Sequence, residues 1–177
     1  MEQPDERARF EETIMPHLDA AYNLARWLTR NEHDAQDVVQ DAFLRAFKYF
    51  GGFHGGNSRS WLLSIVRNTT YTWLQKNRKP ELATIFDEET RDIEDTASNP
   101  EALLLNNSDQ QEIRRAVEQL PVEFREVMIL RELEGMSYKE ITGVADVPIG
   151  TVMSRLARAR KQLQQSLGQR LQPGVSK

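Results

Sequence analysis

Residues 135–167 read GMSYKEITGVADVPIGTVMSRLARARKQLQQSL. The spacing predicts two helices joined by a tight turn. Ser137 can cap the first helix, and Glu140, three residues on, completes a capping box. Ile141 and Val144 point inward, and Ala145–Asp146–Val147 makes the turn. Pro148 suits the first positions of the next helix, where its missing N–H leaves nothing unsatisfied. Val152, Leu156, Ala159 and Leu163 then recur at intervals of four, three and four, forming one buried face. Thr151, Ser154, Arg155 and Arg158 fall on another face. No Asp or Glu follows Asp146, while Arg155, Arg158, Arg160, Lys161, Arg170 and Lys177 do. A short helix, a tight turn and a basic second helix have the geometry of a helix-turn-helix that enters the major groove. An αα-hairpin with solvated arginines would have the same pattern.

The whole chain has 177 residues, 39% of them hydrophobic, enough for one medium domain or two small ones. A mean hydropathy of −0.62 favours small domains with much surface. No stretch approaches the length of a membrane-spanning helix, and the acidic start MEQPDERARFEE lacks the apolar core of a signal peptide. The absence of cysteine excludes disulfides and thiolate metal sites. These features predict a cytoplasmic protein. A net charge of −4 taken alone argues against nucleic acid, but its distribution does not. Residues 42–80 hold no acid and seven bases, residues 81–101 hold eight acids and only Arg91, and the C-terminal zone is basic again. Local field decides whether a phosphate backbone is attracted.

From Phe10 to Thr29, Ile14, Leu18, Tyr22, Ala25 and Leu28 form a helical stripe interrupted at Pro16. A helix over Asp34–Phe50, DAQDVVQDAFLRAFKYF, follows and is closed by Gly51–Gly52. Ala35, Val38, Val39, Ala42, Phe43, Ala46, Phe47 and Phe50 make its apolar face; Asp34, Asp37, Gln40, Asp41 and Leu44 lie off it. The glycine-rich loop FHGGNSRS, Phe53–Ser60, offers Asn57 or Ser58 as a cap. The next helix, Ser60–Lys79, buries Trp61, Leu62, Ile65, Val66, Thr69 and Trp73. It presents Ser64, Arg67, Asn68, Tyr71, Thr72, Gln75, Lys76 and Lys79, a mixture of amides, hydroxyls, an aromatic and bases suited to DNA. An ordinary amphipathic surface helix is the plain alternative. Glu81–Asn99 has no sustained period and reads as a linker, and Asn99–Pro100–Glu101 begins another helix. Helices over Ser108–Leu120 and Pro121–Glu134 follow, and Gly135 ends the second. Leu120, Phe124, Val127, Met128, Leu130 and Leu133 supply a small core. The expected class is all-α, two helical domains over 1–80 and 108–177 joined by an acidic linker over 81–107.

His33 and Asp37 share a helical face, but two ligands do not make a metal site, and His17 and His54 have no matching partners. No nucleophile elbow, Walker loop or dinucleotide fingerprint is present. The sequence announces neither an enzyme nor a cofactor or metal.

DAQDVVQDAFLRAF, then FHGGNSRSWLLSIVRNTTYTWL, an acidic linker and LPVEFREVMILRELEGMSYKEITGVADVPIGTVMSRLARARKQL together resemble the extracytoplasmic-function sigma factors of bacterial RNA polymerase. The resemblance runs from about Phe10 to Leu167. It implies docking of Asp34, Asp37, Gln40, Asp41 and Leu44 on the clamp helices of the largest polymerase subunit. It implies that Phe53, His54, Asn57, Ser58 and Arg59 capture an unstacked −10 base, with Trp61, Arg67, Asn68 and Tyr71 along the melted strand. It implies that Lys139, Thr151, Ser154, Arg155 and Arg158 read the −35 element while the second domain rests on the polymerase flap. An anti-sigma factor is a further implied partner; membrane insertion is not implied. Met153 and Ser64 stand where some relatives carry basic residues, so promoter preference does not transfer from any one relative. A stand-alone helix-turn-helix regulator is the alternative, and it leaves the glycine loop and its polar helix without a role.

Overall fold

The computed structural model describes residues 3–77 and 108–171. The expected acidic linker and the helix expected at Asn99–Pro100–Glu101 lie outside the described residues. Helix α1, Gln3–Ile14, passes through one 3-10 turn, Met15–His17, into α2, Leu18–Thr29. Pro16 removes a helical donor there, and the interruption turns α2 relative to the stripe expected from sequence. The buried residues of α2 are Ala21, Leu24, Ala25, Leu28 and Thr29, while Leu18 is 38% exposed.

Helix α3, Glu32–Tyr49, starts two residues earlier than expected because Asn31 caps it, accepting the Asp34 N–H at 2.8 Å. Ala35, Val38, Val39, Ala42 and Ala46 are buried, and the alanines allow α2 to approach closely. Phe47 corrects the expected face: it is 46% exposed, with its ring edge-on to Phe10. Phe50, in a 3-10 turn Phe50–Gly52, is the aromatic centre of this end, packed by Phe10, Phe53 and Trp61. The loop after it turns through Gly55 and Gly56, both at positive φ (98° and 94°), where a side chain would strain the backbone.

Helix α4, Ser58–Asn77, is buried on more than one side. Leu62, Val66 and Thr69 are buried as expected, but so are Leu63, Thr70 and Leu74, whereas Trp61, Ile65 and Trp73 are only partly buried. The reason is tertiary: α4 packs on α2 and α3 in the first domain and against the second domain as well.

The second domain comprises α5, Ser108–Glu118; α6, Val122–Met128; α7, Tyr138–Ala145; and α8, Ile149–Leu171. A π-helical turn, Ile129–Leu133, extends α6. That turn takes in an extra residue and rotates the expected core residue Leu133 outward, to 57% exposure. Gly135 follows at φ 65°. Ser137 and Glu140 make the full capping box, with bonds of 3.1 and 2.8 Å. Asp146 sits at φ 59° in the left-handed turn, and the Pro148 carbonyl accepts from Thr151 and Val152, so Pro148 precedes α8 and does not lie in its first turn. Leu120, Val127, Met128, Leu130, Ile141, Val144, Val152, Leu156 and Ala159 are buried between these helices. Among the described residues there are helices and turns but no strand.

The two helical groups meet. Arg125, 4% exposed, donates to the carbonyls of Trp27 and Leu28 at the end of α2 (2.8 and 3.2 Å) and to Leu120 and Glu118 of its own domain (2.6 and 3.0 Å). A helix C-terminus leaves carbonyls without helical partners, and a guanidinium satisfies them with favourable charge. Glu126 has no exposed surface and meets Arg67 of α4 at 2.7 Å.

Loss of packing at Leu156→Ala should lower stability by about 2–5 kcal/mol. Arg67→Ala leaves the Glu126 carboxylate buried without its cation and should cost about 3 kcal/mol, whereas the exposed neighbour Asn68→Ala should stay within about 0.5 kcal/mol. Urea unfolding measures all three; equal effects at positions 67 and 68 would contradict the buried pair.

Candidate nucleic-acid interface

The loop before α4 is held by its own chemistry. Asn57 Oδ1 accepts the Ser60 N–H at 3.0 Å, which decides between the two expected caps. The Asn57 amide also donates to Glu140 Oε2 of α7 at 2.7 Å. His17 Nε2 lies 3.0 Å from Ser58 Oγ, and burial together with the Arg59 charge lowers the His17 pKa, favouring its neutral form. Phe53 and Trp61 are ring neighbours at 5.0 Å, both partly buried, while His54 is exposed. Trp61 therefore serves the Phe50 cluster and keeps only part of its surface for anything else.

Further along α4, the expected open polar side is divided. Asn68 and Thr72 are exposed. Arg67 is not: its side chain is 16% exposed, pairs with Glu126, and lies 4.0 Å above the Tyr71 ring. Burial works against the charge on Arg67, but Glu126 and Tyr71 outweigh it and raise its pKa. Burial raises the Tyr71 hydroxyl and the Glu126 carboxyl, each into disfavour of the charged form. Arg59 likewise turns to the second domain, donating to the Glu134 carbonyl at 2.9 Å, with the Glu134 carboxylate 3.7 Å away. The spacing that puts Arg67, Asn68, Tyr71 and Thr72 on one side of α4 has no means of showing that the second domain covers part of that side.

A cleft of about 720 Å³ opens beside this loop, between the domains. Its walls include Gly56, Asn57, Ser58 and Arg59, but also His17, Asp19 and Asn23 of the α2 region. The latter three were not expected. No local spacing links them to a loop some forty residues on, and only the packing of α2 against α4 brings them there.

On the helix-turn-helix, Lys139, Ser154 and Arg158 are exposed and Thr151 is partly so. Arg155 differs from the expectation of an open basic face: its side chain is 20% exposed and lies 3.9 Å from Glu123. Arg160 pairs with Glu132 at 3.1 Å, a hydrogen bond that raises its pKa. A groove of about 470 Å³ runs beside the turn, bounded by Lys139, Thr142 and Asp146 to Ile149.

The outer face of α3 is separate from both. Asp37, Gln40, Asp41 and Leu44 are exposed, Leu44 to 66%, and Asp34 is partly buried at the cap. Asp41 pairs with Arg45 at 3.4 Å and His33 lies 4.0 Å from Asp37, and both acid side chains are about half exposed or more, 51% and 59%. Leu44 and Phe47 together expose an apolar strip amid these charges, a combination found where proteins dock. No metal-binding cluster of acids and histidines occurs among the described residues.

Known proteins resolve what this arrangement belongs to. The family model "Sigma-70 region 2" matches residues 13–79, and "Sigma-70, region 4" matches residues 110–163. The ECF RNA polymerase sigma factor SigE of Mycolicibacterium smegmatis is 31% identical over 158 residues, 89% of this chain and 61% of that one. The chain thus spans about three-fifths of that relative's length. The ECF RNA polymerase sigma-E factor of Escherichia coli is 38% identical over 135 residues, 72% of this chain and 71% of that one. Among solved structures, the sigma factor RpoE of Bartonella quintana, in complex with the anti-sigma factor NepR, is similar at TM-score 0.72 and 30% identity, covering 90% of this chain and 97% of that one. CnrH, in complex with the cytosolic domain of CnrY, shares the fold at TM-score 0.66 and 24% identity, over 92% and 89%. With a region 2 domain, a region 4 domain and relatives aligned across both, the chain belongs to the extracytoplasmic-function sigma factors, alternative sigma factors of bacterial RNA polymerase.

Proposed function

We propose that the chain binds core RNA polymerase, recognises −35 and −10 promoter elements through its two domains, and helps melt the −10 region. The single observation that carries this reading is the order of a region 2 and a region 4 domain in one chain, matched together by a relative at 38% identity. Domain limits of 1–80 and 108–177, with a connector over 81–107, belong to the same proposal. The exposed acids and Leu44 of α3 dock on the clamp. Asn57, Ser58, Arg59, Asn68 and their neighbours take the −10 strand, and Lys139, Thr151, Ser154, Arg155 and Arg158 face −35 DNA. The factor works in the cytoplasm by binding and without a catalytic step of its own; no described helix is long and apolar enough to cross a membrane.

Melting without ATP is driven by binding. Extruding a base costs a few kcal/mol, offset by a pocket and by stacking. Each domain's hold on DNA is weak alone, and the polymerase presents both at high effective concentration. The similar RpoE was solved with an anti-sigma factor, and the exposed Leu44–Phe47 strip is a surface such a partner could cover.

Asp37→Ala with Asp41→Ala should leave thermal stability within about 1 kcal/mol, since both are exposed, and should weaken binding in a titration with core polymerase. Unchanged affinity would remove α3 from docking. A factor that binds −35 DNA but never core polymerase would instead be a stand-alone helix-turn-helix regulator.

Asn68→Ala should retain polymerase binding but reduce open complexes, read as permanganate-reactive thymines. A template with its −10 bases already unpaired should restore activity only in part, because pre-melting removes the unpairing cost but not the lost contact. Normal melting would take Asn68 out of the mechanism.

Arg158→Ala should weaken −35 binding. A bidentate arginine–guanine contact discriminates by about 1–3 kcal/mol, so altered preference at one base position marks a base contact, and uniform loss marks a phosphate contact. No loss in binding assays would leave Arg158 without a role in DNA recognition.

A further inference from the structure

Two of the bases on α8 stand against acids of their own domain: Arg155 lies 3.9 Å from Glu123, and Arg160 pairs with Glu132 at 3.1 Å. Beside the buried stripe of Val152, Leu156 and Ala159 runs a second row, Ile149, Met153 and Ala157, spaced by four residues and exposed throughout. Residues four apart stand one above another on a helix. Ile149 is 49% and Met153 50% exposed, at the start of the helix that follows the tight turn. Ser154 and Arg158, both exposed, flank the row on its other side. No Asp or Glu follows Asp146, so this apolar row lies on a surface whose charges are all positive. Such a surface complements DNA, and the N-terminal residues of a recognition helix are the ones that reach base edges. The major groove offers an apolar side chain one matching group. The C5 methyl of thymine is apolar, whereas the other groups displayed there donate or accept hydrogen bonds.

We infer that Met153, with Ile149 beside it, determines base preference in the −35 element by packing against thymine methyls. The inference rests on the −35 assignment above and adds to it two residues that carry neither charge nor hydrogen bond. The helix rises about 6 Å from Ile149 to Met153, and successive base pairs are about 3.4 Å apart, so the two side chains meet different base pairs. Met153 is unbranched and adapts its shape to a methyl at either edge of the pair. Cytosine or adenine at the same place would turn an amino group toward an apolar side chain and leave it without a hydrogen bond. Thymine is therefore selected twice, by the contact it makes and by the penalty it avoids. Arg158 retains its preference for guanine alongside.

Core polymerase with the full chain bound first selects from randomised duplexes long enough to hold both promoter elements, and the −35 motif recovered should contain thymines. Each thymine is then replaced singly by deoxyuridine, which removes the methyl and keeps every hydrogen-bonding group. At the positions facing Met153 and Ile149 the replacement should weaken binding about fourfold, the worth of one buried methyl-sized group. Met153→Ala should bind the thymine and deoxyuridine duplexes equally at one of these positions, and Ile149→Ala at the other. Met153→Leu, still apolar, should keep the preference. Both residues are half exposed, so these substitutions spare the fold. Comparing the two duplexes within each variant isolates the methyl contact from any general loss of binding. Binding indifferent to deoxyuridine throughout the −35 motif would overturn the proposal, and so would a deoxyuridine penalty that survives in both alanine variants. Weaker binding of Met153→Ala to core polymerase without DNA would overturn it too, by placing a protein on the row. A wild-type complex that enriches no −35 motif would refute the −35 reading itself, a result distinct from an enriched motif whose methyls count for nothing.

Discussion

Glu126 is a carboxylate with no surface in water, and the cation that reaches it, Arg67, comes from the other domain. Stranding such a group is expensive, since desolvation removes its hydration and leaves nothing in return. The position of α6 relative to α4 is therefore tied to this pair, and α7 and α8 follow because they share one core with α6. Arg125, the adjacent residue, reinforces the same contact through the backbone carbonyls of Trp27 and Leu28. A buried ion pair is weak evidence for net stability, but removing one partner is costly because it leaves the other buried without compensation.

The arrangement gives the chain two kinds of surface. The outer face of α3 is left in water, with Leu44 and Phe47 exposed among acids. The polar face of α4 and its glycine loop are shared with the second domain, whose carboxylates complement it. Charge is unevenly spread along the chain of net −4: residues 42–80 carry bases and no acid, and Glu126, Glu134 and Glu140 of the second domain meet Arg67, Arg59 and Asn57 of the first.

Most of the architecture was legible in the sequence because it is written in local rules. The Ser137–Glu140 capping box, the Ala145–Asp146–Val147 turn and the Val152–Leu156–Ala159 stripe each depend on residues a few positions apart. So does the off-stripe placement of Asp37, Gln40 and Asp41. The errors lie where local rules are overridden. Pro16 turned α2, so Leu18 left the core; the π-turn turned Leu133 out; and Phe47 stayed exposed at the end of an otherwise buried face. The burial of Leu63, Thr70 and Leu74, and the partners of Arg59, Arg67 and Arg155, are tertiary facts with no local signature. His17, Asp19 and Asn23 reached the cleft for the same reason. One sequence cannot tell a basic side chain facing solvent from one facing an acid far along the chain.

An extracytoplasmic-function sigma factor directs initiation by a bacterial polymerase at promoters defined by two separated elements. Transcription of a pooled library of bacterial genomic fragments, by core enzyme with and without the protein, tests it most directly when the RNA 5′ ends are mapped. The expected result is a set of starts that depends on the protein and shares two upstream motifs at near-constant spacing. Core enzyme that gives the same starts with and without the protein, or dependent starts sharing no −10 motif, would contradict it.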